Sequence, residues 1–390
     1  MRRRAPLLGG IFLISGTSIG AGVLALPVKT GSGGFFPSLM LFVVLWGVML
    51  ATAYFLLDVN LKLKGELNLF SMAAKMLGPI GKWSACVLYV LLLYALLAAY
   101  LSACSPLFVQ GIELLLSWRM PDAWSFFILP MLFGCTISLG IASVDYVNRI
   151  LMLGLLVSYV LLIGALPGHM DLSRLMSYDM AKSFTAAPLI LSAFGYHIII
   201  PTLTTYMHHQ VSLLRKALWI GSLIPLVVCV LWQLGILAAV PKALLLDALV
   251  QGVPATTPLE SLLKTTWMQG ISSFFAFFAL VTSFLGVSLS LSDFLIDALS
   301  LKKGWEGRLL ATLLTFIPPL FVLLSCTNAF YFALDYAGAF VALLLGVLPA
   351  CMVLRFKRPS WYAKKRGRIL IISVLLIMGI VVGIDLAMHF

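Results

Sequence analysis

Long apolar stretches follow one another along the chain, and short polar segments separate them. Eleven stretches of the sequence approach or exceed the ~20 residues that an α-helix needs to cross a lipid bilayer. The pattern therefore predicts an all-α polytopic membrane protein, with residues 1–390 in a single transmembrane domain. The predicted spans cover approximately residues 7–28, 35–59, 83–107, 124–142, 150–166, 186–207, 217–240, 270–291, 309–324, 330–354 and 369–389.

The composition supports a lipid environment. Hydrophobic residues make up 62% of the chain and charged residues only 10%, whereas soluble domains carry about 25% charged residues. The mean hydropathy of +1.09 would leave a surface too apolar to face water, so we expect the lipid bilayer as a partner. The six cysteines are scattered among apolar residues, and we expect neither a metal site nor a cofactor.

The basic residues indicate how the spans are oriented. If the N-terminus is cytoplasmic and the spans alternate, 20 of the 26 Lys and Arg residues lie on the cytoplasmic side, in line with the positive-inside rule. The sequence thus predicts a multi-pass protein of a bacterial inner membrane, with its N-terminus cytoplasmic and its C-terminus periplasmic. Basic residues in the short segments between the spans account for the net charge of +12. Because this placement suits membrane topology and not a nucleic-acid surface, we expect no nucleic-acid partner.

Two predicted spans contain helix-breaking residues at matching positions. Span one carries the segment 16–22, in which three residues are glycines, and span six carries Gly195. Breaks in spans one and six are what two inverted five-helix repeats would produce, because an odd number of spans turns the second copy over. We therefore predict repeats over about 7–166 and 186–354, with an eleventh helix at about 369–389.

The two breaks predict a binding site. Unwound backbone inside a membrane is tolerated only within protein or beside a watery cavity. One half-helix offers free N–H groups there and the other offers free carbonyls, which suits the carboxylate and the ammonium group of an amino acid. The span-one glycines are also typical of close helix packing. The candidate substrate-binding residues are Thr17, Ser18, Ile19, Gly20, Ala21, Gly22, Ser192, Phe194, Gly195, Tyr196 and, on span three, Tyr94. Tyr89 and Tyr100 on the same span are further candidates, although tyrosine is also common at interfaces and in cores.

Three titratable residues are candidates for proton coupling or gating. His197 lies well inside span six. Its alternative roles are a proton carrier, a substrate contact or a neutral core imidazole bonded to a neighbour. Asp293 shares a helix face with Asp297 near the inner end of span eight, where both carboxylates either titrate or pair with nearby lysines. Asp335 lies near the outer start of span ten. It is either a gating residue or an ordinary interfacial carboxylate.

Three segments resemble the hydroxy and aromatic amino acid permease family. They are GTSIGAGVLALP at 16–27, SAFGYHIIIPTL at 192–203 and ALVTSFLGVSLSLSDFLIDAL at 279–299. The resemblance implies the inverted-repeat fold of the leucine-transporter type. It also implies import of an aromatic amino acid by proton symport, with tyrosine favoured and tryptophan or phenylalanine next. Sodium coupling stays open, because hydroxyls on span eight (Thr282, Ser283, Ser288 and Ser290) are suitable ligands.

Other classes of membrane protein predict different sequence features. A membrane-embedded enzyme would show clustered His, Asp and Glu ligands or a nucleophile beside a base, and His208-His209 is the nearest match in the chain. A structural subunit would not need aligned breaks in two spans. A channel would show a repeated polar filter or a ring of charges. The sequence favours a transporter that is not an enzyme.

Overall fold

The protein is a bundle of membrane-spanning α-helices. The computed structural model describes residues 4–63, 67–117, 121–138, 141–263, 265–301, 304–325, 329–356 and 361–389, and every regular element within these ranges is helical. In this part of the chain nine helices are long and apolar enough to cross a bilayer, or up to ten if a bent pair at the N-terminus is one span. The prediction of an all-α multi-pass membrane protein is confirmed.

The α-helices account for most of the described chain. In chain order they are α1 Arg4–Ser18, α2 Ala21–Gly31, α3 Phe35–Leu63, α4 Leu69–Leu116, α5 Asp122–Ser138, α6 Ile141–Ala165, α7 Met180–Ser183, α8 Ala187–Ala193, α9 Ile200–Tyr206, α10 Val211–Ala239, α11 Lys242–Gln251, α12 Thr256–Leu262, α13 Thr266–Ala298, α14 Trp305–Ser325, α15 Ala329–Val341, α16 Leu348–Leu354 and α17 Lys365–His389. A π-helical segment, Ala342–Val347, joins α15 to α16. Single 3₁₀ turns occupy Leu166–His169, Leu172–Met176, Phe184–Ala186, Tyr196–Ile199 and Trp361–Ala363.

The fourth predicted span is the one that the helix lengths do not support fully. Helix α5 has 17 residues, about 25 Å at 1.5 Å per residue, whereas the hydrocarbon core is about 30 Å thick. Among the described residues, nine or ten helices thus qualify as spans by length and composition, and the eleventh stays a prediction. Helix α4 is long for a different reason, because Gly78, with φ 80° and followed by Pro79, bends it into two segments.

Contacts between helix ends define the two faces of the bundle. Asp58, near the end of α3, pairs with Arg215 near the start of α10 at 3.1 Å. Asp58 also accepts a hydrogen bond from Tyr362, just before α17, at 2.5 Å. We call the face that carries these residues and the start of α1 the N-face. The opposite face carries the end of α2, the start of α15 and helices α11 and α12, where Lys242 donates to the Ser32 carbonyl at 2.9 Å.

Small residues set the closest helix contacts. A Cβ atom added to Gly221 of α10 would lie 2.8 Å from the Cβ atom of Ile14 in α1. A Cβ atom added to Gly338 of α15 would collide with the backbone of Pro188 in α8. Helices in a bilayer associate through such close packing, since lipid tails are as apolar as the side chains between them. These contacts bring α1, α8, α10 and α15 around the centre of the bundle, where both helix breaks lie.

A partly buried carboxyl group lies on the opposite face, outside the spans. Glu260 of α12 accepts a hydrogen bond from Ser273 of α13 at 2.9 Å, and its main-chain carbonyl accepts one from Gln269 at 3.2 Å. Burial raises the pKa of the Glu260 carboxyl from its ordinary value of 4.5 to about 7, although the Ser273 hydroxyl acts in the other direction. Glu260 therefore changes charge close to neutral pH.

We expect this group to make the stability of the protein depend on pH. Between its ordinary pKa of 4.5 and about 7, the folded state holds a proton that the unfolded chain has released, so stability falls as the pH rises. Glu260→Gln should flatten that fall, as measured by thermal unfolding in detergent between about pH 5 and about pH 8. Asp247→Asn, an exposed carboxylate on α11, is the control. Equal slopes for wild type and Glu260→Gln would contradict the assignment.

Candidate functional site

A cavity of about 300 Å³ lies at the centre of the bundle, between the breaks in spans one and six. Helices α4, α6, α13 and α15 complete its walls. Tyr89, Asn148 and Ser290 come from the N-face halves of their helices, so the cavity extends from the breaks towards the N-face. Its lining residues include Gly16, Thr17, Ser18, Ile19, Gly20, Gly22, Tyr89, Leu92, Leu93, Leu96, Tyr100, Asn148, Met152, Ser192, Gly195, Tyr196, Thr282, Ser283, Gly286, Val287, Ser290, Leu334 and Val341.

The break in span one separates α1 from α2 by a bend of 51°. Gly20 precedes α2 in an extended conformation, with φ −158° and ψ −154°, and gives the helix no side-chain cap. The first N–H groups of α2 therefore have no partner within the helix. A Cβ atom added to Gly20 would collide with the hydroxyl oxygen of Ser283, so a residue without a side chain lets this backbone lie against α13.

The break in span six separates α8 from α9. Helix α8 ends at Ala193, Gly195 is non-helical with φ −82° and ψ 37°, and a 3₁₀ turn follows before α9. Pro201 lies in the first turn of α9, a position where the missing N–H costs nothing. The two breaks are neighbours, because a Cβ atom added to Gly22 would lie 3.5 Å from the Cβ atom of Ala193. Both predicted helix breaks are present and meet in the centre of the protein.

At the two breaks, helix ends of opposite partial charge face the cavity. The start of α2 carries the positive end of its helix dipole, and the end of α8 carries a negative one. Free N–H groups bind a carboxylate, and free carbonyls bind an ammonium group. This end of the cavity can therefore hold both charged groups of an amino acid without a charged side chain.

The structure brings together most of the residues predicted to bind substrate. Phe194 lies in the core with no exposed surface, and Tyr94 donates its hydroxyl to the Leu314 carbonyl of α14 at 3.0 Å, so neither lines the cavity. The side chain of Ala21 is outside the described part of the chain. Those that line the cavity are Thr17, Ser18, Ile19, Gly20, Gly22, Ser192, Gly195 and Tyr196.

Comparison with known proteins identifies the family of this chain. Residues 3–385 match the tryptophan/tyrosine permease family. The chain belongs to this family. The tyrosine-specific transport system 1 of Haemophilus influenzae is 31% identical over 385 residues, covering 96% of this chain and 95% of the relative. The resemblance seen in the three sequence segments is thereby confirmed.

Relatives named for another substrate match over similar lengths. The tryptophan-specific transport protein of Pseudomonas aeruginosa is 27% identical and covers 90% of this chain and 86% of its own length. The low affinity tryptophan permease of Escherichia coli is 26% identical, with 96% and 93% covered. Because the family and these relatives are permeases and transport systems, the chain is a permease and not an enzyme.

Several further residues of the permease line the cavity. On α4, Tyr89 and Tyr100 face the cavity, and on α13 Ser283 and Ser290 do so. Their spacing places each pair on one helix face. That spacing was readable in the sequence, but these helices are apolar on every side, so no stripe identifies the face that meets the cavity. Asn148, on α6, had no sequence signal at all.

His197 of the permease lies beside the cavity wall and not in it. The ring has no exposed surface, stacks on Tyr196 with 5.1 Å between ring centroids and places Nε2 2.8 Å from the hydroxyl of Thr52. The Thr52 hydroxyl donates to the Met49 carbonyl at 3.0 Å, an arrangement that suits Nε2–H of His197 as the donor to Thr52. His197 is thus bonded to span two.

Asp335 of the permease forms a buried ion pair on the opposite face. Lys29 Nζ of α2 lies 2.6 Å from Asp335 Oδ2 of α15, and both side chains are almost entirely shielded from solvent. Leu334, the preceding residue, lines the cavity. The pair therefore ties span one to span ten between the cavity and the opposite face.

Asp293 of the permease lies at the N-face end of α13. It follows Ser290, a cavity residue, by three positions and is therefore on the same helix face. The charged groups of Arg308 and Asp297 lie close enough to interact electrostatically with its carboxyl group. Tyr89 lies within the same range of that carboxyl group. Asp293 is the predicted coupling residue that lies near the N-face mouth of the cavity.

Proposed function

We propose that this permease is a secondary active transporter that imports an aromatic amino acid, with tyrosine as the favoured substrate. The observation that carries the proposal is the meeting of two helix breaks at a cavity with an apolar wall. The N–H groups after Gly20 hold the substrate carboxylate, and the carbonyls around Ser192–Gly195 hold its ammonium group. Relatives named for tyrosine and for tryptophan support an aromatic side chain in the apolar part.

Transport proceeds by alternating access in this proposal. Spans one to five and six to ten form inverted repeats of the leucine-transporter type, which the matching breaks in spans one and six support. The N-terminus is cytoplasmic and the C-terminus periplasmic in a bacterial inner membrane, as the distribution of basic residues favours. The N-face is then cytoplasmic, and the structure corresponds to a state whose cavity extends inward while Lys29 and Asp335 close the outer side.

Uptake is coupled to protons in this proposal. One proton that crosses ~100 mV releases about 2.3 kcal/mol, which supports about fiftyfold accumulation of a neutral zwitterion. Asp293 and His197 are the candidate carriers, and Asp293 is the better placed because it lies near the cavity mouth. Sodium is the other candidate ion, since Thr282 and Ser283 place hydroxyl groups on the cavity wall.

We expect proteoliposomes with an imposed inward pH gradient and no sodium to accumulate labelled tyrosine, and a protonophore to abolish the accumulation. Asp293→Asn should remove gradient-driven accumulation while exchange of internal for external tyrosine continues, because exchange needs no net proton movement. His197→Gln is the matched variant at the second candidate carrier. Uptake that requires sodium and ignores the pH gradient would overturn proton coupling.

A further inference from the structure

The cavity has two polar ends and an apolar middle. At the breaks, Gly20 lies against Ser283 of α13, and Ser290 follows Ser283 by two helical turns, about 10 Å along the axis. Between these levels the wall is formed by apolar side chains. An extended aromatic amino acid has a similar length, so a substrate held at the breaks would bring the far edge of its ring to the level of Ser290. The apolar wall residues are Leu92, Leu93, Leu96, Met152 and Val287.

Asn148 lines this cavity from the N-face half of α6. It precedes Met152 on α6 by one helical turn, so the two side chains share a helix face. The methyl group of Met152 lies 3.6 Å from the place that a Cβ atom on Gly16 would take, which sets α6 beside the end of α1. Asn148 is therefore about one turn, or about 5.4 Å, nearer the N-face than Gly16.

Most other polar side chains in the wall are satisfied within the protein. The hydroxyls of Ser283 and Ser290 donate to carbonyls of their own helix at 3.0 and 2.8 Å. Each can then accept a hydrogen bond, from Tyr100 and Tyr89 respectively. Along the lining of the described cavity, three shielded oxygens lack a hydrogen-bond partner, on Ser18, Tyr196 and Asn148.

These three oxygens are not equivalent. Ser18 ends α1 at the first break, where the charged groups of the substrate bind. Tyr196 follows the second break, and its hydroxyl lies near that of Ser222. Asn148 Oδ1 alone belongs to neither break, because it lies on α6. A buried acceptor without a partner costs about 1–3 kcal/mol. Because the Asn148 side chain lines the cavity, a rotation of its amide would present Oδ1 to a donor on the far edge of a bound ring.

We propose that Asn148 selects aromatic amino acids whose ring carries a hydrogen-bond donor, and so rejects phenylalanine. The phenol O–H of tyrosine or the indole N–H of tryptophan donates to Asn148 Oδ1. Phenylalanine buries the same apolar ring and leaves Oδ1 unpaired. This inference rests on the proposed function, because it assumes that the charged groups of an aromatic amino acid bind at the breaks.

The test is competition binding to purified protein, with labelled tyrosine displaced by tyrosine, tryptophan and phenylalanine. We expect wild-type protein to bind phenylalanine at least about tenfold more weakly than tyrosine. Asn148→Leu should reduce that ratio to about threefold or less, because an apolar wall no longer distinguishes a donor from its absence. Asn148→Ala removes the amide without adding a branched side chain and should reduce the ratio in the same way.

Asn60→Leu provides the matched control. Asn60 is buried on α3, donates to the Leu67 carbonyl at 3.3 Å and lies outside the cavity lining, so it should leave the ratio unchanged even where it lowers stability. Equal binding of tyrosine and phenylalanine by wild-type protein would overturn the inference and leave the proposed function standing. An unchanged ratio in both Asn148 variants would overturn it too. If wild-type protein binds no aromatic amino acid, the proposed function itself fails.

Discussion

Gly20→Val should abolish substrate binding while the protein still inserts into the membrane. The valine side chain would occupy the place of the Ser283 hydroxyl, and α2 would have to move away from α13 to admit it. Overpacking of this kind costs about 1–3 kcal/mol. It also displaces the free N–H groups of α2, whose hydrogen bonds to a carboxylate contribute about 1.5–3 kcal/mol each. We expect tyrosine affinity to fall more than about 100-fold.

The measurement is equilibrium binding of labelled tyrosine to detergent-purified variants that elute as a single species. Gly47→Val is the matched control, because a Cβ atom added to Gly47 of α3 meets nothing within 4 Å. The same change of glycine to valine therefore tests insertion and folding without touching the break. A well-folded Gly20→Val variant with unchanged affinity would show that the carboxylate binds elsewhere.

Asp335→Asn should open the cavity to the opposite face and impair transport. Removing one partner of a buried ion pair leaves the other charge, here Lys29, uncompensated, at a cost of about 3–5 kcal/mol. A state in which Lys29 is hydrated avoids this cost, so the population shifts away from the closed arrangement by more than about 100-fold. Net uptake should fall, because a transporter must close each side in turn.

Accessibility to a membrane-impermeant maleimide measures this shift. Val341 lines the cavity on α15, and Val341→Cys in a background without native cysteines reports access from the opposite face. We expect faster labelling with Asp335→Asn. The double variant Lys29→Met with Asp335→Leu should label slowly again, because an apolar pair replaces the ion pair without leaving a charge. Equal labelling of all three proteins would show that the pair does not close the cavity.

The sequence by itself determined that this protein lies in a lipid bilayer and where two of its helices break. Apolar stretches of about 20 residues admit few structures other than membrane-spanning helices, because backbone groups in a bilayer must be paired within the segment. Gly20 and Gly195 mark the two breaks, and at Gly20 the missing side chain lets the backbone lie against Ser283. These signals are local in the chain, so composition and order are enough to read them.

Only the tertiary structure decided which side chains meet at the cavity. Tyr89, Tyr94 and Tyr100 were all candidates on span three, yet Tyr89 and Tyr100 line the cavity and Tyr94 contacts α14. A helix in a bilayer can be apolar on the side that faces lipid as well as on the side that faces protein, so hydrophobicity does not identify its inner face.

The pairing of Lys29 with Asp335 joins residues 306 positions apart, and Asn148 gains its environment from helices far along the chain. His197 was the most conspicuous titratable residue of the sequence, but its bond to Thr52 comes from the packing of span six on span two. Such contacts depend on how helices are rotated and paired. That arrangement is set by close packing between distant segments, which no local pattern of residues records.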